Sequence, residues 1–207
     1  MARLSAKKKG SSEVTHAALR IRSEDGATIS SHRQVIEKHG QVMFAKIGKG
    51  LGSSFINQLN DQVEQSVPTY LFLATYEGPK QPYGYYRGDL LHVHQSLNEA
   101  QQTLVPSYLQ YAIPEISTWF EIASISRLSQ HETNRIYVLS SGRELASAIS
   151  GTASLFKVGV KGIADMELVS DPAPSARQSD RLLDLDDELY GDEDSDFIES
   201  WLDSRDI

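Results

Sequence analysis

The chain contains no cysteine. That absence excludes a disulfide framework, thiol catalysis and thiolate metal sites, and it fits a reducing compartment. Long apolar runs are missing as well. Every apolar stretch is strand-length, short of the roughly 20 residues a membrane-crossing helix needs. The opening Met-Ala-Arg-Leu-Ser-Ala-Lys-Lys-Lys-Gly is positive but has no apolar segment behind it, so no secretory leader is expected. A cytoplasmic protein without a membrane role is the expectation. Catalytic signatures are lacking too: there is no Gly-x-Ser-x-Gly elbow, no His-Glu-x-x-His, and no acidic pair with a strand-borne Glu-x-Lys. Neither an enzyme nor a resident cofactor is expected.

Charge is unevenly distributed. Residues 180–207 hold twelve acids against two bases, Arg181 and Arg205, a net charge of −10 in a chain whose total is −8. The other 179 residues are therefore close to neutral, at +2. With 40% apolar residues, the body should bury an ordinary core. The organisation expected is a disordered basic arm at 1–12 (Arg3, Lys7, Lys8, Lys9), a folded α+β domain at 13–168, and an acidic linker and tail at 169–207, the composition changing near Asp171-Pro172-Ala173-Pro174.

Within the body, Val14–Arg22 alternates as a strand, with Leu19 and Ile21 against Arg20 and Arg22. Ser30 or Ser31 is placed to cap a helix through Lys38, with Gly40 as its left-handed terminator. In Gln41–Ile47, Val42, Phe44 and Ile47 are expected inward and Lys46 outward. Ser53 or Ser54 opens a second helix, where Phe55, Ile56, Leu59 and Val63 follow the helical period. Thr69–Tyr76 reads as a strand, Glu77–Gly84 as a loop, and Leu90–Gln95 as the next strand. Pro106 and Pro114 argue against long regular structure there. Thr118–Ile125 and Arg135–Leu139 are further strands, Arg143–Ile149 a helix beginning at Ser140-Ser141-Gly142, and Ser154–Val160 the last strand. Such an order implies α+β with a curved mixed sheet or partly closed barrel and two or three short helices.

Chemistry-bearing residues gather in four places. The Ile47–Gly52 glycine loop with Lys46 and Lys49 departs from a P-loop, since no Gly-Lys-Ser follows, but a loop of this kind before a helix can hold one backbone phosphate. Tyr83, Tyr85, Tyr86 and Arg87 supply the aromatic rings and arginine that stacking on an unpaired base requires. Arg143, after two serines at a helix start, is a further anion contact. His92-Val93-His94, with Glu99 beyond, brushes against the first cupin metal motif. The flanking glycines and a second histidine block are absent, so metal is not expected.

The strand Tyr70–Ala74, the Gly88-Asp89 entry into Leu90–Gln95 and the later Trp119–Ile125 together resemble the PUA-like superfamily, in its EVE and ASCH branches, over residues 14 to 165. That resemblance implies a small α+β domain around a curved barrel. Because the EVE branch is associated in bacteria with reading modified bases beside restriction systems, it also implies a nucleic-acid-binding, modified-base-reading module in a bacterial or phage defence setting. The family's opening with a Trp, a Lys and a Glu-Pro is absent, so no base cage is carried onto named positions.

The tail carries apolar clusters among its acids: Leu185 and Leu189 in one, and Phe197, Ile198, Trp201 and Leu202 at helical spacing in another. A pure solubiliser has no use for tryptophan, so these six residues are expected to dock a basic partner protein. A protein–protein adaptor whose tail occupies a basic cleft of an enzyme is the competing reading.

Overall fold

The computed structural model describes residues 14–21, 27–76, 83–150 and 154–162. Both the basic arm and the acidic tail, with Leu185, Leu189, Phe197, Ile198, Trp201 and Leu202, lie outside them.

The strands are β1 (His16–Ile21), β2 (Val42–Ala45), β3 (Tyr70–Thr75), β4 (Gly84–His94), β5 (Trp119–Ile122), β6 (Ser126–Arg127), β7 (Ile136–Val138) and β8 (Leu155–Val160). They form one sheet in the order β2-β5-β4-β3-β1-β8-β7, with β6 pairing beside β4. β1 and β3 run parallel; every other pairing is antiparallel. The fold is α+β with a mixed sheet, as the sequence implies. Among the described residues the sheet ends at β2 and β7 and is not closed.

The helices are α1 (Ala27–His39), α2 (Ser53–Glu64), and the single turns α3 (Glu99–Gln102), α4 (Gln130–Thr133) and α5 (Leu145–Ala148). α1 is longer than the helix expected from Ser30 or Ser31 to Lys38, while α2 keeps to its expected span. α1 begins before Ser30 and Ser31, which therefore do not cap it, whereas Gly40 has the left-handed φ of +77° that ends a helix without a Cβ clash. α2 opens at Ser53, as expected, with Gly52 as its N-cap, whereas α5 starts after Glu144, so Ser140 and Ser141 do not cap it. Despite Pro106 and Pro114, residues Ser107–Glu115 form a 3-10 helix with Pro114 inside it.

Both sheet faces are covered. Ala17, Leu19, Leu71, Leu73, Tyr86, Leu90, Val93, Phe120 and Ile122 pack with Ile29 of α1 and Phe55, Ile56 and Leu59 of α2. On the opposite face, Ala18, Phe72, Ala74, Ile136, Val138 and Val158 pack with Leu128, Leu145 and Ile149. A third cluster joins Met43 and Trp119 to Leu104, Val105, Leu109 and Ile116. β3 is the central strand, buried on both sides, which is why its sequence reads as a continuous apolar run.

β4 is the long strand, and it organises the rest. The first half, Gly84–Asp89, pairs with β3; the second, from Leu90, pairs with β5 past a register shift between Leu90 and His92. Gly88 is the tight point, because a Cβ there would meet Ile122 Cδ1 at 2.9 Å and the Ser124 carbonyl at 3.1 Å. Beyond β3's reach, Asn60 of α2 stands in for a neighbouring strand. Its Oδ1 accepts from the Val93 N–H (2.8 Å), and its Nδ2 donates to the Val93 carbonyl (3.0 Å).

Candidate functional site

The alternation of β4 decides which of the sequence's candidate residues share a surface. Tyr85 and Arg87 project to one face, while Tyr86 projects to the other and packs in the core beneath α1 and α2. Tyr86 is 8% exposed, and its ring lies 6.0 Å from the Arg33 guanidinium and 5.9 Å from that of Arg127.

Tyr83 precedes β4 and continues the Tyr85 row; their ring centroids are 6.4 Å apart. Tyr76, just past β3, meets Tyr83 edge-on at 6.1 Å and is 44% exposed. Burial and the neighbouring Tyr83 both hold the Tyr85 phenol above the usual tyrosine range, so it stays a neutral donor. At the inner end of the row, Arg87 is buried at 4% exposure with its guanidinium carbon 5.0 Å from the Tyr70 ring. Register explains the contact: Arg87 lies opposite Phe72 and Asp89 opposite Tyr70, so Tyr70 flanks both charged residues on one face. Asp89 Oδ1 is 3.9 Å from Arg87 Nε, while Asp89 Oδ2 accepts a 2.7 Å bond from Ser124 Oγ.

The other candidates stand elsewhere. Lys46 was expected to face solvent, and Ile47 the core; the two are reversed. β2 ends at Ala45, the Lys46 N–H bonds the Thr118 carbonyl, and the chain turns. Lys46 is then 8% exposed with its ammonium donating to the Ile47 carbonyl at 2.6 Å, and burial lowers its pKa; Ile47 is 49% exposed. Lys49 is exposed, on a loop pinned to β5's approach by the Leu51 N–H bond to Thr118 Oγ1. Arg143 lies past β7, at the sheet edge opposite to β2, on a shallow groove of about 650 Å³ that Ser140, Ser141, Phe156 and Lys157 also line. Its Nη2 donates to the Ser147 carbonyl. Lys46 and Lys49, the Tyr85–Arg87 face and Arg143 therefore occupy three separate regions.

His92 and His94 do lie together, with ring centroids 4.5 Å apart. Their partner is Glu121, brought over by the β4–β5 register, and not Glu99. Glu121 Oε2 is 2.7 Å from His94 Nε2. The Asn60 amide is oriented by the Val93 peptide, so its NH₂ faces His92 Nε2 at 3.2 Å and occupies that lone pair; the Gln101 amide approaches His94 Nδ1 at 3.3 Å. Three of the four imidazole nitrogens, His92 Nε2 and both of His94, are within hydrogen-bond distance of side-chain partners. Among the described residues no group of three His, Asp or Glu side chains is placed to hold a metal ion, and no helix is long and apolar enough to cross a membrane.

The sequence reading missed Tyr70, Tyr76, Asp89 and Glu121. Tyr76 and Tyr70 carried a signal, since they stand in register with the β4 face at even spacing along one strand. No family model, curated protein or solved structure matches the chain.

Proposed function

We propose that the folded body is a non-enzymatic nucleic-acid-binding module that stacks unpaired bases on the tyrosine row of the β3–β4 face. The observation that carries this reading is the line Tyr76, Tyr83, Tyr85, with Arg87 and Tyr70 at its inner end, on one face of two paired strands. Base stacking on such a platform is sequence-tolerant and suits a strand or a flipped-out base better than a duplex. A modified-base reader of the PUA-like kind is the sharper form of the proposal, supported by the sequence resemblance alone. Tyr86 has no part in it, because it projects into the core on the opposite face, and Lys46 and Arg143 lie at the two edges of the sheet, away from the tyrosine row.

Few cations line this face, so affinity comes from stacking, and salt dependence should be shallow. For the full chain and a single-stranded oligonucleotide, a slope near one phosphate contact, about −0.7 in log K against log salt, is expected. Tyr85→Ala should weaken binding by about 1–3 kcal/mol at constant slope. A steep slope that Tyr85→Ala leaves untouched would move the interface to other residues.

The second reading, docking of a basic partner protein, is favoured by residues 180–207, whose net charge of −10 accompanies Phe197, Ile198, Trp201 and Leu202. Its test is Trp201→Ala in the full chain: a partner recovered with the parent should be lost with the variant while oligonucleotide binding persists. Retention of that partner would assign the docking to another surface.

A further inference from the structure

Arginines in the folded body usually find a carbonyl. Arg20 donates to Ile149, Arg33 to Ile125, Arg135 to Lys161 and Arg143 to Ser147. Arg87 does not. Its side chain is only 5% exposed, yet among the described residues none of its nitrogens forms a hydrogen bond, and Nε is sealed from solvent without a partner. Asp89, the one carboxylate beside it, stands at 3.9 Å, beyond hydrogen-bond reach, and its other oxygen is held by Ser124. Tyr70 covers the guanidinium plane and offers no acceptor there.

A desolvated guanidinium with five donors and no acceptor is costly unless something completes it. The fork matches an oxyanion with two oxygens, as a phosphate or carboxylate presents, far better than it matches a neutral group. Its Nη groups form no bond either but are not sealed as Nε is, so they mark the open side. The Asp89 carboxylate faces the Nε side, so an arriving anion takes the Nη edge and feels Asp89 as a like charge.

We infer that Arg87, backed by Tyr70, is a binding site for a single phosphate oxyanion at the inner end of the tyrosine row. The phosphate's belonging to a nucleic-acid strand rests on the function proposed above; the anion site itself does not. Two sources share this chemistry, a free or mononucleotide phosphate and an internucleotide phosphate, and a titration separates them.

The measurement is the Nε–H resonance of Arg87 in the ¹⁵N-labelled full chain, identified by its loss in Arg87→Lys. Inorganic phosphate, a mononucleotide and a single-stranded oligonucleotide are added in turn. Saturable movement of that resonance with inorganic phosphate is expected, and Asp89→Asn should tighten it several-fold by removing the neighbouring negative charge. Loss of phosphate binding in Arg87→Lys, with the fold intact by circular dichroism, completes the case. If Lys at this position does not fold, Arg87→Gln identifies the resonance instead, and the parent and Asp89→Asn titrations then decide it. A resonance unmoved by phosphate in both proteins overturns the site, and so does binding that Arg87→Lys leaves unchanged. Phosphate binding that an oligonucleotide does not improve upholds the site and removes nucleic acid as its source. Oligonucleotide binding without movement at Arg87 does the reverse.

Discussion

Acidification from pH 6.5 to pH 4 should cost the protein about 3 kcal/mol for each of two buried histidines, His16 and His32. Both are fully buried, and burial lowers each to about 4 from an ordinary 6.5. His16 Nδ1 accepts from the Tyr70 N–H at 3.2 Å; His32 Nδ1 donates to the Thr28 carbonyl at 2.6 Å while its ring stacks on Phe44 at 3.8 Å. In His16 a second proton would fall on Nδ1, against the Tyr70 N–H; in His32 hydrogen bonding to the Thr28 and Met43 backbone favours the charged ring, but burial outweighs it. Between pH 4 and 6.5 the unfolded chain binds these protons and the folded chain does not. Stability is therefore complete above 6.5, declines as pH falls, and has lost the full contribution below 4. Two such losses approach the whole stability of an ordinary domain, about 5–15 kcal/mol. Urea unfolding at a series of pH values measures the slope, and His32→Phe should remove about half of it. A slope of zero across that window, or one that His32→Phe leaves unchanged, would show that these rings accept protons in the folded state.

The same two histidines mark where sequence reading runs out. β3 was legible because a central strand buried on both faces must be apolar throughout, and Thr69–Tyr76 is. Gly40 was legible because a helix terminator needs a left-handed residue. The face of β4 was not. Grouping Tyr83, Tyr85, Tyr86 and Arg87 as one cluster put Tyr85 and Tyr86 on one surface, whereas the period of two along β4 separates them onto opposite faces. Lys46 and Ile47 exchanged roles for a similar reason: alternation ends where β2 ends, and the turn after Ala45 resets it. Glu121 reaches His94 through a register fixed 27 residues away, and Tyr70 reaches Arg87 through the β3–β4 pairing. Contacts of that kind exist only once strands are paired, so a single sequence gives their ingredients without their partners. Strand order and an open edge are properties of pairing too.

Trp119 is the residue whose loss should hurt the fold most. It is fully buried on β5, opposite Ala45 on one side and His94 on the other, and its indole N–H donates to the Ile116 carbonyl at 3.2 Å. Met43, Leu104, Val105, Leu109 and Ile116 surround it, so the ring is what fastens the proline-bearing segment between β4 and β5 onto the sheet. That segment has no strand of its own, only the α3 turn and a 3-10 helix with Pro114 inside, so this cluster and the Met43 N–H bond to the Leu104 carbonyl are what fasten it. Trp119→Ala should cost about 3–5 kcal/mol by removing buried apolar surface and leaving a cavity, and it also strands the Ile116 carbonyl. Trp119→Phe keeps most of the volume and loses chiefly the hydrogen bond, so its cost should be well below that of alanine. Urea midpoints followed by circular dichroism test both. Because the tyrosine row and Arg87 lie on β3 and the first half of β4, Trp119→Phe should leave any ligand bound there with its affinity intact. If instead Trp119→Phe abolishes base binding while remaining folded, the stacking surface belongs at the β5 end of the sheet.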